Sequence, residues 1–229
     1  MKKLLFFAAM MLGLASCQTE PEGLAVDMGA QETNITVALP EVTRANSALS
    51  GLDNGVLTDH DLRFILEIYS DGGNDCLREV KYAEGGATST SFNIRLVPGH
   101  AYEFVVWADF VKNEADTYFD TSNGLDAIKM LNLDAMTEAR DAYYGVASIA
   151  AGGSVSEVST IVLKRPFAKV RVVADDVDEA KEALQKGLTT ATATYANDVI
   201  VYDTFNARTK SVSGEAAKVK EITYSSSVY

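Results

Sequence analysis

Histidine and cysteine are scarce, with two of each in 229 residues, and basic side chains are outnumbered by acidic ones, 20 against 32. Each shortage removes a chemistry. With His60 and His100 the only imidazoles, a histidine-rich zinc site has too few ligands. A Ser-His-Asp triad would have to recruit His60, set between Asp59 and Asp61, or His100, which follows the turn pair Pro98-Gly99; both read as solvated loop residues. The net charge of −12 argues against nucleic acid and against docking on anionic head groups. No G-x-S-x-G elbow, Walker A loop, G-x-G-x-x-G or H-E-x-x-H motif occurs. Acidic pairs are plentiful, so a two-carboxylate glycosidase stays open on composition alone. Yet Asp175-Asp176 reads as a helix cap, and Asp71 to Asp75 as a hairpin turn without the alternating ligand spacing of a calcium loop. The expectation is a protein that is not an enzyme and holds no metal and no cofactor. The single tryptophan, Trp107, with Tyr143 and Tyr144, could make an aromatic platform for a sugar. Trp107 reads better as core, because it continues a strand.

Long apolar runs are also missing, except at the start. Lys2 and Lys3 precede an apolar stretch from Leu4 to Ala15, which ends in Leu14-Ala15-Ser16-Cys17. About a dozen apolar residues make a secretory signal rather than a span, which needs roughly 20. The tetrapeptide resembles the lipobox of bacterial lipoproteins, which implies that Cys17 is lipidated and that residues 1–16 are removed. Losing Lys2 and Lys3 takes the side-chain charge from −12 to −14. An acidic body suits anchoring by acyl chains rather than by a basic face. Lipidation of Cys17 leaves Cys76 alone, without a partner for an internal disulfide. Cys76 follows Asp75 and reads as a small strand hydrophobe rather than a reactive thiol.

Past the leader, Gln18 to Gln31 is a polar tether. Asn34 to Leu39 alternates, with Ile35, Val37 and Leu39 on one face, and Pro40 ends the strand. Glu41 to Thr58 is a loop that holds Arg44. Strand signals follow at Leu62 to Tyr69, Leu77 to Tyr82, Ser91 to Leu96 and Tyr102 to Ala108, the last apolar on both faces. In the first of these, Leu62, Phe64, Leu66 and Ile68 share one face, and Arg63 and Glu67 the other. Asp109 to Tyr144 breaks the pattern, with a possible short helix from Ala135 to Ala142. Strands resume at Val155 to Leu163 and Phe167 to Ala174. Asp175 to Gly187 is the clearest helix, its body at residues 176–186. Further strands are expected at Thr189 to Tyr195, Val199 to Phe205 and Val219 to Tyr224. Short strands at about 8–12-residue spacing indicate an all-β chain built as a β-sandwich. The expected division is leader 1–16, tether and first strand 17–45, a sandwich domain 46–174 and a partial β domain 175–229. The last part looks too small for a complete sandwich, as if truncated or awaiting a strand.

The lipobox, the leading strand, Val42-Thr43-Arg44-Ala45, Val97-Pro98-Gly99 before Tyr102 to Asp109, and Leu163-Lys164-Arg165-Pro166-Phe167-Ala168-Lys169-Val170 together form a pattern. Over nearly the whole chain it resembles the fimbrillin-type lipoproteins of Bacteroidales. The resemblance implies two transthyretin-like β-sandwich domains, an outer-membrane or fimbrial location, and a role as structural, anchor or accessory subunit. It also implies a mechanism. A protease cuts between Arg44 and Ala45, the strand carrying Ile35, Val37 and Leu39 leaves, and a strand from another subunit fills the groove. Anchor and accessory members need no cut, and Arg44 is then an ordinary surface arginine. The implied partners are other fimbrial subunits, an unidentified host or bacterial receptor, and the membrane through the N-terminal acyl chains. The chain departs from the family in its short C-terminal part, where Val219 to Tyr224 serves as donor strand or the donor is missing. A surface glycan-binding lipoprotein is the alternative.

Overall fold

The computed structural model describes residues 29–40, 59–84, 87–131, 138–154, 156–167 and 190–227, with side chains over 202–214 in the last segment. The described residues are all-β, with one short 3-10 turn at Glu138–Arg140. The helix expected at 176–186 lies outside them.

The central sheet is antiparallel: β2 (Asp61–Ser70), β3 (Cys76–Tyr82), β5 (Tyr102–Val111) and β8 (Ala142–Ile149), in the order β3-β2-β5-β8. Between β2 and β3, Asp71 and Gly72 both take positive φ (50° and 73°), and Gly73 N donates to Ser70 O at 2.9 Å. These residues form a tight turn within the connection between Tyr69 and Cys76, the last pair of the hairpin. At Pro98-Gly99, Gly99 has φ 97°, as a tight turn after proline requires.

A second sheet packs on one face of the first: β4 (Ser89–Leu96), β1 (Gln31–Ala38) and β9 (Thr160–Val162), in the order β4-β1-β9. Alternation in β4 sends Phe92, Ile94 and Leu96 inward; in β1 it sends Ile35 and Val37 inward. They meet Phe64, Leu66, Ile68, Phe104 and Val106 of the central sheet in one sandwich core. The two sheets join along one side, where Tyr144 and Lys164 exchange two backbone hydrogen bonds (2.8 and 2.9 Å). Gly145 permits this closure: a Cβ there would stand 2.8 Å from both Ile161 Cγ2 and Leu163 Cδ2.

The opposite face of the central sheet is also covered. A third sheet, ordered β11-β10-β7-β6, comprises β6 (Phe119–Asp120), β7 (Ile128–Met130), β10 (Thr190–Asn206) and β11 (Ser211–Ser227). Its Phe119, Leu125, Ile128, Phe205 and Ala207 form a second core with Ile65, Val105 and Trp107. Arg63 and Glu67 therefore lie on a buried face, not a solvated one.

Several expectations change. Ala142, placed at the end of a short helix, instead begins β8; among the described residues a 3-10 turn, Glu138–Arg140, stands before it, and the first part of the expected helix lies outside them. The two separate strands expected after Thr189 are one strand, β10, irregular between Ala196 and Val199. His60 is not a solvated loop residue: its side chain is 3% exposed and stacks on Tyr118 with centroids 6.0 Å apart. Cys76 is exposed at the start of β3 rather than packed.

Candidate functional site

Of the expected site residues, Ile35, Val37 and Leu39 lie among the described ones, and they belong to the first strand and its end. β1 occupies the middle of its sheet, antiparallel to β4 over its whole length and parallel to β9 over Thr36 to Ala38. Opposite Ile35 stands Phe92; opposite Val37 stand Thr90 on one side and Ile161 on the other. Ile35 and Val37 have no exposed surface, and Leu39, just past the strand, is buried as well. Backbone bonds fix both edges: Thr36 N donates to Ser159 O, Leu163 N to Ala38 O, and Leu39 N to Thr88 O, each at 2.9 Å. On the solvent side Asn34 Nδ2 donates to Asn93 Oδ1 (2.5 Å), and the Thr36 and Ser91 hydroxyls meet at 3.2 Å.

Chemically, β1 is a strand that plugs an apolar slot. Without it, β4 and β9 would face each other across roughly two strand spacings, about 10 Å. Phe92, Ile94, Ile161 and Leu163 would lose cover, and a row of backbone groups would lose partners. Burying Ile35, Val37 and Leu39 is worth about 5–8 kcal/mol as an upper bound. The expected lipidation residue Cys17 and the expected cleavage pair Arg44 and Ala45 lie outside the described residues.

The charged residues that gather elsewhere hold one another. Arg63 Nε and Nη2 donate to the two carboxylate oxygens of Asp109 (2.9 and 2.8 Å), and its Nη1 donates to Asp116 (2.6 Å). Burial pushes the Asp109 carboxyl upward against the pull of Arg63; burial lowers Arg63 itself, but Asp109 outweighs it and the guanidinium ends higher. Glu67, fully buried, accepts from Tyr69 OH (2.7 Å), Leu125 N (3.0 Å) and Arg78. Burial, then the Glu67 carboxylate, drives the Tyr69 phenol upward. Although Cys76 is exposed, loss of water on its protein side, then the Glu67 carboxylate, raises its thiol, away from the thiolate that reactivity needs. Among the described residues no cluster of three or more His, Cys, Asp or Glu is arranged to hold a metal.

Trp107 is fully buried, in keeping with its strand pattern, and Tyr143 and Tyr144 are buried with it, so these three offer no platform for a sugar ring. Trp107 meets Phe119 edge-on at 5.2 Å in the second core. Sequence reasoning misses the Arg63–Asp109–Asp116 and Glu67–Arg78 groups as a network. The available signal is the placing of Arg63, Glu67 and Asp109 at alternating positions on neighbouring strands, a pattern that resembles a wet face.

The sequence profile described as "Family of unknown function (DUF6562)" matches residues 25–229. No curated protein matches the chain. Among solved structures it is similar to one from Bacteroides thetaiotaomicron VPI-5482, described as "putative polysaccharide binding proteins (DUF1812)", at 12% identity and a TM-score of 0.36. That similarity covers 84% of this chain and 64% of the other.

Proposed function

We propose that this chain, which belongs to the DUF6562 family of unknown function, is a non-catalytic, lipid-anchored subunit of a cell-surface fibre with an exchangeable first strand. The reading takes residues 1–16 as leader, Cys17 as the lipidated residue of an outer-membrane protein, and Arg44–Ala45 as the cut that frees β1. One observation carries it: β1, the first strand among the described residues, is a central strand with two wholly buried apolar side chains. The slot it vacates presents unpaired β4 and β9 edges and apolar floor residues, the recognition chemistry of strand addition. The partner is then another subunit offering an extended, alternating apolar segment. A glycan-binding surface lipoprotein, the alternative, would have to use a surface other than Trp107, Tyr143 and Tyr144.

Mass spectrometry of the N-terminus on protein sheared from the cell surface tests the reading. A start at Ala45 is expected of a polymerising subunit. A diacylated Cys17 on every molecule overturns strand removal and leaves the anchor or accessory role. Absence of the protein from sheared filaments overturns the fibre reading itself.

A further inference from the structure

The attachments that hold β1 in its slot lie within Gln31 to Leu39. Its ladder with β4 runs from Gln31 to Ala38 and its ladder with β9 from Thr36 to Ala38, and Leu39 N closes the end on Thr88 O. A cut between Arg44 and Ala45 lies past all of these and breaks none of them. What it removes is the covalent link, and with it an effective concentration on the order of millimolar. Against that stands the cost of emptying the slot. Phe92, Ile94 and Ile161, buried while the strand is in place, would meet water, and β4 and β9 would each lose their backbone partners in β1.

We infer that the cut frees β1 from the chain but not from the slot: the severed N-terminal piece stays seated until a strand of another subunit displaces it. The inference rests on the exchange reading above and supplies its control step. With Cys17 lipidated, that piece carries the anchor, so the cut subunit remains held at the membrane through β1 alone. The incoming strand then fills the slot and detaches the body from its anchor in one event. The apolar slot never stands empty in water. The pairing also sets where displacement begins. Among the described residues β9 covers β1 only from Thr36 onward; Gln31 to Ile35 pair with β4 alone, and Gln31 and Glu32 are exposed. That end frays first. A strand entering in the direction of β1 takes the β4 edge at Leu96 and advances toward Ser89.

Residues 17–229, made without lipid and labelled at Cys17 in a Cys76→Ser background, test this once a site for a specific protease is inserted after Arg44. Uncut, this protein should unfold at the parent's thermal midpoint; the same site inserted after Ser50 replaces it if it does not. After complete cutting, confirmed by denaturing electrophoresis, the label is expected to co-elute with the body in gel filtration. Unlabelled peptide of residues 30–40 should then release it, at a rate that rises with peptide concentration. A peptide of residues 34–40 keeps all three buried side chains but lacks the end that enters first, and should release the label more slowly; equal rates overturn that point of entry. Loss of the label on cutting alone overturns the inference; if the emptied body then binds the 30–40 peptide, strand exchange itself stands. Release at one rate whatever the peptide concentration also overturns it, because the strand then leaves before another arrives. A label that no concentration of peptide releases overturns both the inference and the exchange reading.

Discussion

Asp109 has no exposed surface and meets Arg63 through both its oxygens. A buried pair of this kind adds little net stability when intact, but removing one partner strands a charge in low dielectric. Asp116 still faces Arg63 after Asp109→Asn, so the loss is expected to fall below the roughly 3–5 kcal/mol of a charge left wholly unpaired, read as a lower midpoint in urea unfolding. Gly145 fails for the opposite reason, an excess of matter. An alanine Cβ would enter within 2.8 Å of two side chains that also line the sandwich core, and overpacking costs about 1–3 kcal/mol. Gly145→Ala should lower the thermal midpoint by about 2–4 °C for each kcal/mol lost. Asp71 gives a pH-dependent case. His100 Nδ1 (2.6 Å) and Ala101 N (3.0 Å) hydrogen-bond its carboxylate and hold it below the ordinary aspartate value of 3.8. A depressed folded value means that this stabilisation is present above 3.8 and is lost as pH falls through the lower folded value. The parent chain should thus unfold at a higher urea midpoint than Asp71→Asn at pH 6, and the difference should vanish in strong acid.

Elements differ in how far their pattern shows in sequence. β1, β2 and β4 bury alternate residues against the sandwich core, so a period of two announces them, and the spacing of Ile35, Val37 and Leu39 alone assigns them to one face. β8 hides because both its faces are covered along Ala142 to Gly145, which removes alternation, and because Gly145 imitates a turn. The second core hides for a related reason: Arg63, Glu67 and Asp109 interrupt its apolar residues, and paired burial of charge leaves no trace in composition. The parallel partner of β1 is out of reach too, since β9 is three residues long and distant in the chain. The same reasoning extends to the β10–β11 hairpin. A two-stranded ribbon alone is marginal in water, and this one is secured at its tip. Phe205 and Ala207 enter the second core, Ala207 N donates to Leu125 O (2.8 Å), and Arg208 bonds Glu103 (2.6 Å) and Gly73 O (3.1 Å) while capping the Tyr69 ring. Phe205→Ala is expected to cost about 3–5 kcal/mol and Arg208→Ala less. Hydrogen exchange should accelerate at 203–212 in both variants, before the central sheet is affected.

At the scale of the whole molecule, one sheet covered on both faces supports the rest, and the strand proposed to leave belongs to neither the central sheet nor the second core. Removing β1 therefore takes cover from the sandwich core only, while the β3-β2-β5-β8 ladder and the Trp107 cluster keep their partners. A chain beginning at Ala45 should keep near-native sheet content by circular dichroism and carry an open slot between β4 and β9. That slot should accept its own strand in trans. A labelled peptide with the sequence of residues 30–40 is expected to bind saturably in fluorescence anisotropy, and to raise the thermal midpoint of the shortened chain. The same peptide carrying Ile35→Asp and Val37→Asp should not bind, because each carboxylate would enter a site with no exposed surface and no partner charge. If the shortened chain unfolds outright, or binds both peptides alike, β1 is a fixed part of the sandwich rather than an exchangeable strand. The retained-leader role of an anchor subunit then accounts better for Arg44.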